Sequence, residues 1–116
     1  MVEDNDAVRQ MVVSVLQRQG YQVLSAGDGK SSLDLLAGFD GPVDLLLTDV
    51  VMPDMNGREL FTAVGTRYPK IRVIYASGYT DNVIARHGVL DEGIDFIQKP
   101  FSVSKLVHKV REVLDR

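Results

Sequence analysis

Residues 45–57 read LLLTDVVMPDMNG and combine an apolar run, an acid and a loop. The run shows no alternation, which is typical of a strand covered on both faces in a parallel sheet. It ends on Asp49, and Pro53 and Gly57 indicate that a loop follows. Open α/β sheets keep their functional sites at the carboxyl ends of the strands. The stretch therefore predicts a central strand with Asp49 at the functional edge, although an acid here can also simply end a strand.

The composition is that of an ordinary globular domain. The chain has 116 residues, of which 45% are hydrophobic and 25% are charged, and we expect residues 1–116 to form one domain. A net charge of -3 argues against direct nucleic-acid binding. There is no cysteine, which excludes disulfides, thiolate catalysis and a cysteine zinc site. No apolar run approaches the ~20 residues that cross a bilayer, so we expect no membrane contact by this domain.

Helical and strand-like segments alternate along the chain with short links between them. This order predicts a parallel sheet with helices on both faces and right-handed crossovers. Only Met1 and Val2 precede Glu3 and Asp4, where the pattern requires a first strand. We interpret this strand as truncated, and favour a chain cut from a longer protein. The predicted helices cover about 6–19, a segment ending near 38, one around 60–64, one capped by Thr80 or Asp81, and one capped by Ser102; the other predicted strands cover 21–26, 43–48, 71–76 and 95–98.

Polar side chains follow four of the predicted strands. The carboxyl ends of parallel strands share one edge of the sheet, so we expect these side chains to lie together. Clustered carboxylates stay ionised only if a cation neutralises them or one of them takes a proton. Ligands that are all oxygen suit Mg²⁺ or Mn²⁺, and a carboxylate beside such a cation and a lysine can attack phosphorus to give an acyl phosphate. The residues are Glu3 and Asp4, Asp49, Ser77 and Lys99.

Four motifs in a fixed order carry a family resemblance. They are VEDN at 2–5, Asp49 with MP at 52–53 and NG at 56–57, ASG at 76–78, and KPF at 99–101. With this order and spacing, the chain resembles the receiver domain of two-component response regulators over nearly its whole length. The resemblance implies a doubly wound, flavodoxin-like α/β fold, with a five-stranded parallel sheet in the order 2-1-3-4-5 and a truncated first strand.

The resemblance also implies a function, that of a phosphoacceptor signalling switch. Asp49 would accept a phosphoryl group from a phosphohistidine on a histidine kinase or a histidine phosphotransfer domain. Mg²⁺, with Mn²⁺ as a substitute, would be held by Asp4, Asp49 and the backbone carbonyl of Val51, with Glu3 acting mostly through water. Such a domain catalyses only its own phosphorylation and slow dephosphorylation.

The resemblance assigns three further residues. Ser77 and Lys99 would contact the phosphoryl group, and the Lys99-Pro100 peptide bond would be cis. Ser77 and Phe96 would change position on phosphorylation, and the surface formed by about residues 79–110 would carry the change to a partner. Phe96 lacks the hydroxyl that a tyrosine would offer there.

Three tracts more specifically resemble receivers at the C-terminus of hybrid sensor histidine kinases. They are SGYT at 77–80, RHG at 86–88 and FIQKPF at 96–101. This parentage implies a cytoplasmic location, at the cytoplasmic end of a membrane-bound kinase. The resemblance leaves dimerisation open.

Two other functions stay open at this point. A hydrolase with an aspartyl nucleophile usually carries a second acid two residues later, where this chain has Val51. A phosphorylation-silent interaction module could keep the fold, and the short first strand favours it because Asp4 would then be poorly placed. Three further acids and both histidines are interpreted as cap, turn and surface residues: Asp6, Asp28, Asp54, His87 and His108.

Overall fold

Three parallel strands and four helices make up the part of the chain that the computed structural model describes, residues 1–52, 54–77 and 95–115. The strands are hydrogen-bonded in the order β1-β2-β3. The fourth predicted helix, after Thr80 or Asp81, lies outside these residues. Among them, no helix is both long and apolar enough to cross a membrane. The bounds are α1 Asp6–Arg18, α2 Gly29–Ala37, β1 Leu45–Asp49, α3 Gly57–Arg67, β2 Arg72–Ser77, β3 Asp95–Gln98 and α4 Val103–Leu114.

Strand β1 is the buried centre of the sheet, as its apolar run predicts. Its side chains alternate between the two faces, so that Leu47 packs in one apolar cluster and Leu46 in another. Helices α1 and α4 cover the first face, and α2 and α3 lie on the second. The predicted parallel sheet with helices on both faces is thus confirmed.

The first two predicted strands are reduced to isolated bridges. Val2 makes parallel bridges to Ala26 on one side and to Thr48 of β1 on the other. The spatial order is therefore Ala26, Val2, β1, β2, β3, which agrees with the predicted order of strands. The expectation of a regular strand over 21–26 was wrong, because its parallel pairing is limited to the bonds of Leu24 and Ala26 with Met1 and Glu3.

Local capping explains where the helices begin. Asn5 accepts a hydrogen bond from the Val8 N–H at the start of α1, and Ser102 accepts one from the Lys105 N–H at the start of α4. Asn56 and Glu59 form a reciprocal capping box at α3. These caps place the helix starts directly after the loops that follow the strands.

Candidate functional site

Asp49 is the last residue of β1 and is only 6% exposed. Its backbone N–H donates to the Val2 carbonyl at 3.3 Å, while the next N–H, that of Val50, donates to Ala76 of β2 at 3.1 Å. The predicted strand ended at residue 48, and the extra residue brings Asp49 into the ladder itself. Neighbours on both sides therefore fix its backbone.

Glu3 and Asp4 follow Val2 and lie beside Asp49, as the arrangement of strand ends predicts. Each of the three acids offers one carboxylate oxygen, and these oxygens lie within 4.8 Å of one another. Glu3 is only 2% exposed, and its carboxylate accepts a hydrogen bond from the Asn5 N–H at 3.1 Å. Asp4 is exposed. The short first segment thus still brings both acids to the edge of the sheet.

Lys99 completes the cluster from the end of β3. Its ammonium lies 2.6 Å from an oxygen of Asp49 and also forms an ion pair with Glu3. The Lys99-Pro100 peptide bond is cis, as expected. Lys99 and Asp49 follow or end strands that are separated by β2, so the ion pair crosses the end of β2.

The two buried acids of the cluster have pKa values that are shifted in opposite directions. Burial, followed by the neighbouring Glu3, raises the pKa of Asp49 to about 7. Burial also acts to raise the pKa of Glu3, but hydrogen bonds with Asp49 and Lys99 outweigh it and lower this pKa to about 2. Burial acts to lower the pKa of Lys99, but its contacts with Asp49 and Glu3 raise it. Lys99 alone therefore does not keep both buried carboxylates ionised at neutral pH.

The donor set fits a hard divalent cation. The three carboxylates lie close enough to share one ion, and carboxylate oxygens are ligands that Mg²⁺ prefers. Asp4 is exposed, which gives access to the waters that Mg²⁺ retains. Val51, whose backbone carbonyl is the fourth predicted ligand, comes two residues after Asp49 and is half-buried. Its side chain packs on the cluster of Val50 and Tyr75.

The β1–α3 loop, described at residues 50–52 and 54–56, returns closely to the end of β1. The Gly57 N–H donates to the Val50 carbonyl at 2.8 Å. A Cβ atom on Gly57 would lie 2.4 Å from the Asp49 carbonyl oxygen, which is closer than nonbonded atoms can approach. Glycine is therefore required here because the backbone of Asp49 occupies the space of a side chain.

The two predicted switch residues lie on neighbouring strands. Ser77 ends β2 and is opposite Gln98 in the register, one residue before Lys99. Phe96 is half-buried on β3 and lies opposite Tyr75, against which it packs. The structure thus brings Ser77, by its backbone, and Phe96 near the same edge as Asp49.

Sequence reasoning missed several supports of the site. Arg9 on α1 donates to the backbone carbonyl of Glu3 at 2.8 Å and forms an ion pair with Asp6. Asp54, interpreted from sequence as a turn residue, accepts hydrogen bonds from Gly29 and Lys30. The helical spacing of Arg9 from Asp6 was a usable signal for their ion pair. No local pattern signals the contacts of Asp54, which join it to residues 24 and 25 positions away.

Known sequences resemble this chain over its whole length. It is 39% identical to the sensor kinase CckA of Brucella abortus over 116 residues. This alignment covers 100% of this chain but 12% of that protein. It is 32% identical over 118 residues to the transcriptional regulatory protein CpxR of Escherichia coli K12, and spans 48% of it. The chain therefore spans less than half of these curated relatives.

Solved structures also resemble this chain over nearly its whole length. The receiver domain of the hybrid histidine kinase CckA matches with a TM-score of 0.81 and 33% identity, over 97% of this chain and 94% of that one. The chemotaxis protein CheY4 of Vibrio cholerae matches with a TM-score of 0.82 and 29% identity, over 97% and 93%. The sequence family described as the response regulator receiver domain matches residues 1–111. With its flavodoxin-like sheet and its acidic edge, the chain belongs to the response regulator receiver domain family.

Proposed function

We propose that Asp49 is the residue on which this phosphoacceptor signalling switch receives its phosphoryl group. The observation that carries the proposal is the placement of one nearly buried carboxylate between two further acids and an ammonium 2.6 Å away. Such a carboxylate can act as a nucleophile toward phosphorus, while neighbouring cations offset the charge on the transferring group.

The chemistry is a single displacement. A carboxylate oxygen of Asp49 bonds to the phosphorus of a phosphohistidine, and the P–N bond breaks with its electron pair going to the imidazole nitrogen. Asp49 must be ionised to attack, and Lys99 favours its ionised form through a contact of 2.6 Å. Mg²⁺, held by Asp4, Asp49 and the Val51 carbonyl with Glu3 beside them, would neutralise charge on the acids and the phosphoryl oxygens.

Two residues would report the phosphorylated state. We assign Ser77 as the hydroxyl that turns toward the phosphoryl group and Phe96 as the side chain that changes position. The position of Ser77 at the end of β2, and that of Phe96 within β3 and packed on Tyr75, support this assignment. Phe96 is half-buried in the structure.

The competing functions receive less support. A hydrolase would need an acid at position 51, where Val51 packs on Val50 and Tyr75 instead. The silent module drew its support from a misplaced Asp4, yet an oxygen of Asp4 lies within 4.8 Å of oxygens of Glu3 and Asp49. Both observations favour the phosphoacceptor switch.

The partner is assigned by the chemistry and by the relatives. Receiver domains interact with histidine kinases and phosphotransfer domains, and one relative of this chain is the sensor kinase CckA. We propose that residues 1–116 are the receiver of a hybrid histidine kinase. They would obtain the phosphoryl group from a phosphohistidine on a histidine kinase or a histidine phosphotransfer domain. We propose that this receiver lies in the cytoplasm, at the cytoplasmic end of that kinase.

Intact-mass spectrometry after incubation with acetyl phosphate tests the proposal. We expect one phosphoryl adduct in Mg²⁺, much less in EDTA, and none in Asp49→Asn. The matched control is Asp34→Asn, which changes an exposed acid on α2 and should be phosphorylated normally. An adduct that persists in Asp49→Asn would assign the acceptor to another residue.

A further inference from the structure

Asp54 links the β1–α3 loop to the N-terminus of helix α2. One of its carboxylate oxygens accepts from the Gly29 N–H at 3.3 Å and the other from the Lys30 N–H at 2.8 Å. The bond from Lys30 is the main reason why the pKa of Asp54 is lowered. Asp54 is itself exposed, so these contacts with the backbone are not a consequence of burial.

These two bonds complete the N-terminus of α2. A helix leaves its first N–H groups without partners inside the helix, and negative charge is favourable there. The local cap, Asp28, accepts from the Ser31 N–H at 2.7 Å, and its carbonyl accepts from Ser32 at 3.1 Å. Asp54 takes the two N–H groups, of Gly29 and Lys30, that precede these. Helix α2 is thus capped by two acids, one of its own and one from the loop.

The next residue of the loop adds a packing contact at the same place. A Cβ atom on Gly29 would lie 2.5 Å from Cγ and 2.6 Å from Sδ of Met55. Gly29 is buried, and the Met55 side chain occupies the space beside it. Hydrogen bonds and packing therefore fix residues 54 and 55 against the first turn of α2.

Val51 lies between this attachment and the base of the loop. The base is fixed by the bond of 2.8 Å from the Gly57 N–H to the Val50 carbonyl. We infer that Asp54 is a positioning residue that holds the Val51 carbonyl in place for a divalent cation by attaching the loop to α2. This inference rests on the proposed function, because it requires Val51 to be a ligand.

Calorimetric titration with Mg²⁺ tests the inference without any phosphoryl donor. We expect Asp54→Ala to weaken Mg²⁺ binding about threefold to tenfold, at or below the low end of the range for residues that orient metal ligands. Asp54→Asn keeps one acceptor oxygen and should lose less. The matched control is Asp28→Ala, which removes a cap from the same helix and one negative charge but no contact with the loop; its Mg²⁺ affinity should stay within about twofold.

The outcomes separate the inference from the proposed function. Equal Mg²⁺ affinity in the unaltered chain and Asp54→Ala, or an equal loss in Asp28→Ala, would overturn the positioning role and leave the metal site standing. Failure of the unaltered chain to bind Mg²⁺ would overturn both. A circular dichroism melt of each variant, in EDTA, establishes that the compared proteins are folded.

Discussion

The Lys99 ammonium lies 2.6 Å from a carboxylate oxygen of Asp49, across the end of the strand that separates them. Asp49 is buried and Lys99 is half-buried, and Lys99 also pairs with Glu3. The ion pair therefore ties the end of β1 to the end of β3 across β2, at the edge of the sheet where the three acids lie. It also competes with any cation that the three acids would bind.

Replacing Lys99 should destabilise the metal-free protein in a pH-dependent manner. Lys99→Ala leaves Glu3 and Asp49 without their cation, which we expect to cost about 1–3 kcal/mol at about pH 8. The loss should be smaller near pH 5, where Asp49 carries a proton. Urea unfolding in EDTA measures it. Lys105→Ala removes an exposed lysine of α4 and should change stability by no more than about 0.5 kcal/mol; equal effects of the two variants would contradict the account.

The raised pKa of Asp49 predicts that metal-free stability falls as the pH increases. Folding raises this pKa from 3.8 to about 7, so the folded state binds more protons than the unfolded chain between those values. From about pH 5 to pH 7 we expect a loss of about 1–2 kcal/mol. Glu3 acts oppositely but only between about 2 and 4.5, below this window.

Two comparisons isolate this effect in urea unfolding curves. Asp49→Asn should be flatter than the unaltered chain over the same pH range, because residue 49 no longer titrates. Mg²⁺ should stabilise the unaltered chain more at about pH 8 than at about pH 5, since a cation favours the ionised acids. A pH dependence shared by both proteins would show that Asp49 is not its source.

Two glycines of α3 should respond oppositely to the same substitution. Gly57→Ala places a Cβ atom 2.4 Å from the Asp49 carbonyl, so we expect a loss of about 1–3 kcal/mol and slower phosphorylation. Gly65 has nothing within 4 Å of its Cβ position, and Gly65→Ala should stabilise the helix by about 0.5–1 kcal/mol. Thermal unfolding and the acetyl phosphate reaction measure both. A harmless Gly57→Ala would contradict the close approach.

Asp4 should matter for the cation and little for the fold. It is exposed, whereas Glu3 is buried and bonded to Asn5 and Lys99. Asp4→Ala should change stability in EDTA by less than about 0.5 kcal/mol and remove most of the stabilisation by Mg²⁺. Unfolding curves with and without Mg²⁺ measure both. Undiminished stabilisation by Mg²⁺ would exclude Asp4 as a ligand.

The sequence predicts the centre of the site because strand ends in a parallel sheet share an edge. The unbroken apolar run before Asp49 locates β1, and residues 95–98 are confirmed as β3, which brings Lys99 to Asp49. Periodicity cannot show which of two adjacent acids is buried. That depends on Val2, whose bridges on both sides fix how Glu3 and Asp4 leave the sheet.

Contacts between distant segments escape sequence reasoning altogether. The attachment of Asp54 to Gly29 and Lys30 depends on how the β1–α3 loop meets α2 in space. The segment 21–26 has a strand-like pattern, yet only Ala26 forms a bridge, because pairing also depends on which residues of the neighbouring segment lie beside it. A sequence pattern indicates which secondary structure a segment can form, and the segments packed beside it determine whether that structure forms.

Chemical mapping of the phosphoryl group tests the central claim most directly. Borohydride reduces an acyl phosphate to an alcohol, so treatment of the chain phosphorylated by acetyl phosphate in Mg²⁺ should convert residue 49, and no other acid, to homoserine. Peptide mass spectrometry identifies the position. Homoserine at position 49 that is absent without Mg²⁺ is the predicted result. Reduction at Glu3, Asp4 or another acid, or a phosphoryl group that resists borohydride, would contradict Asp49 as the phosphoacceptor.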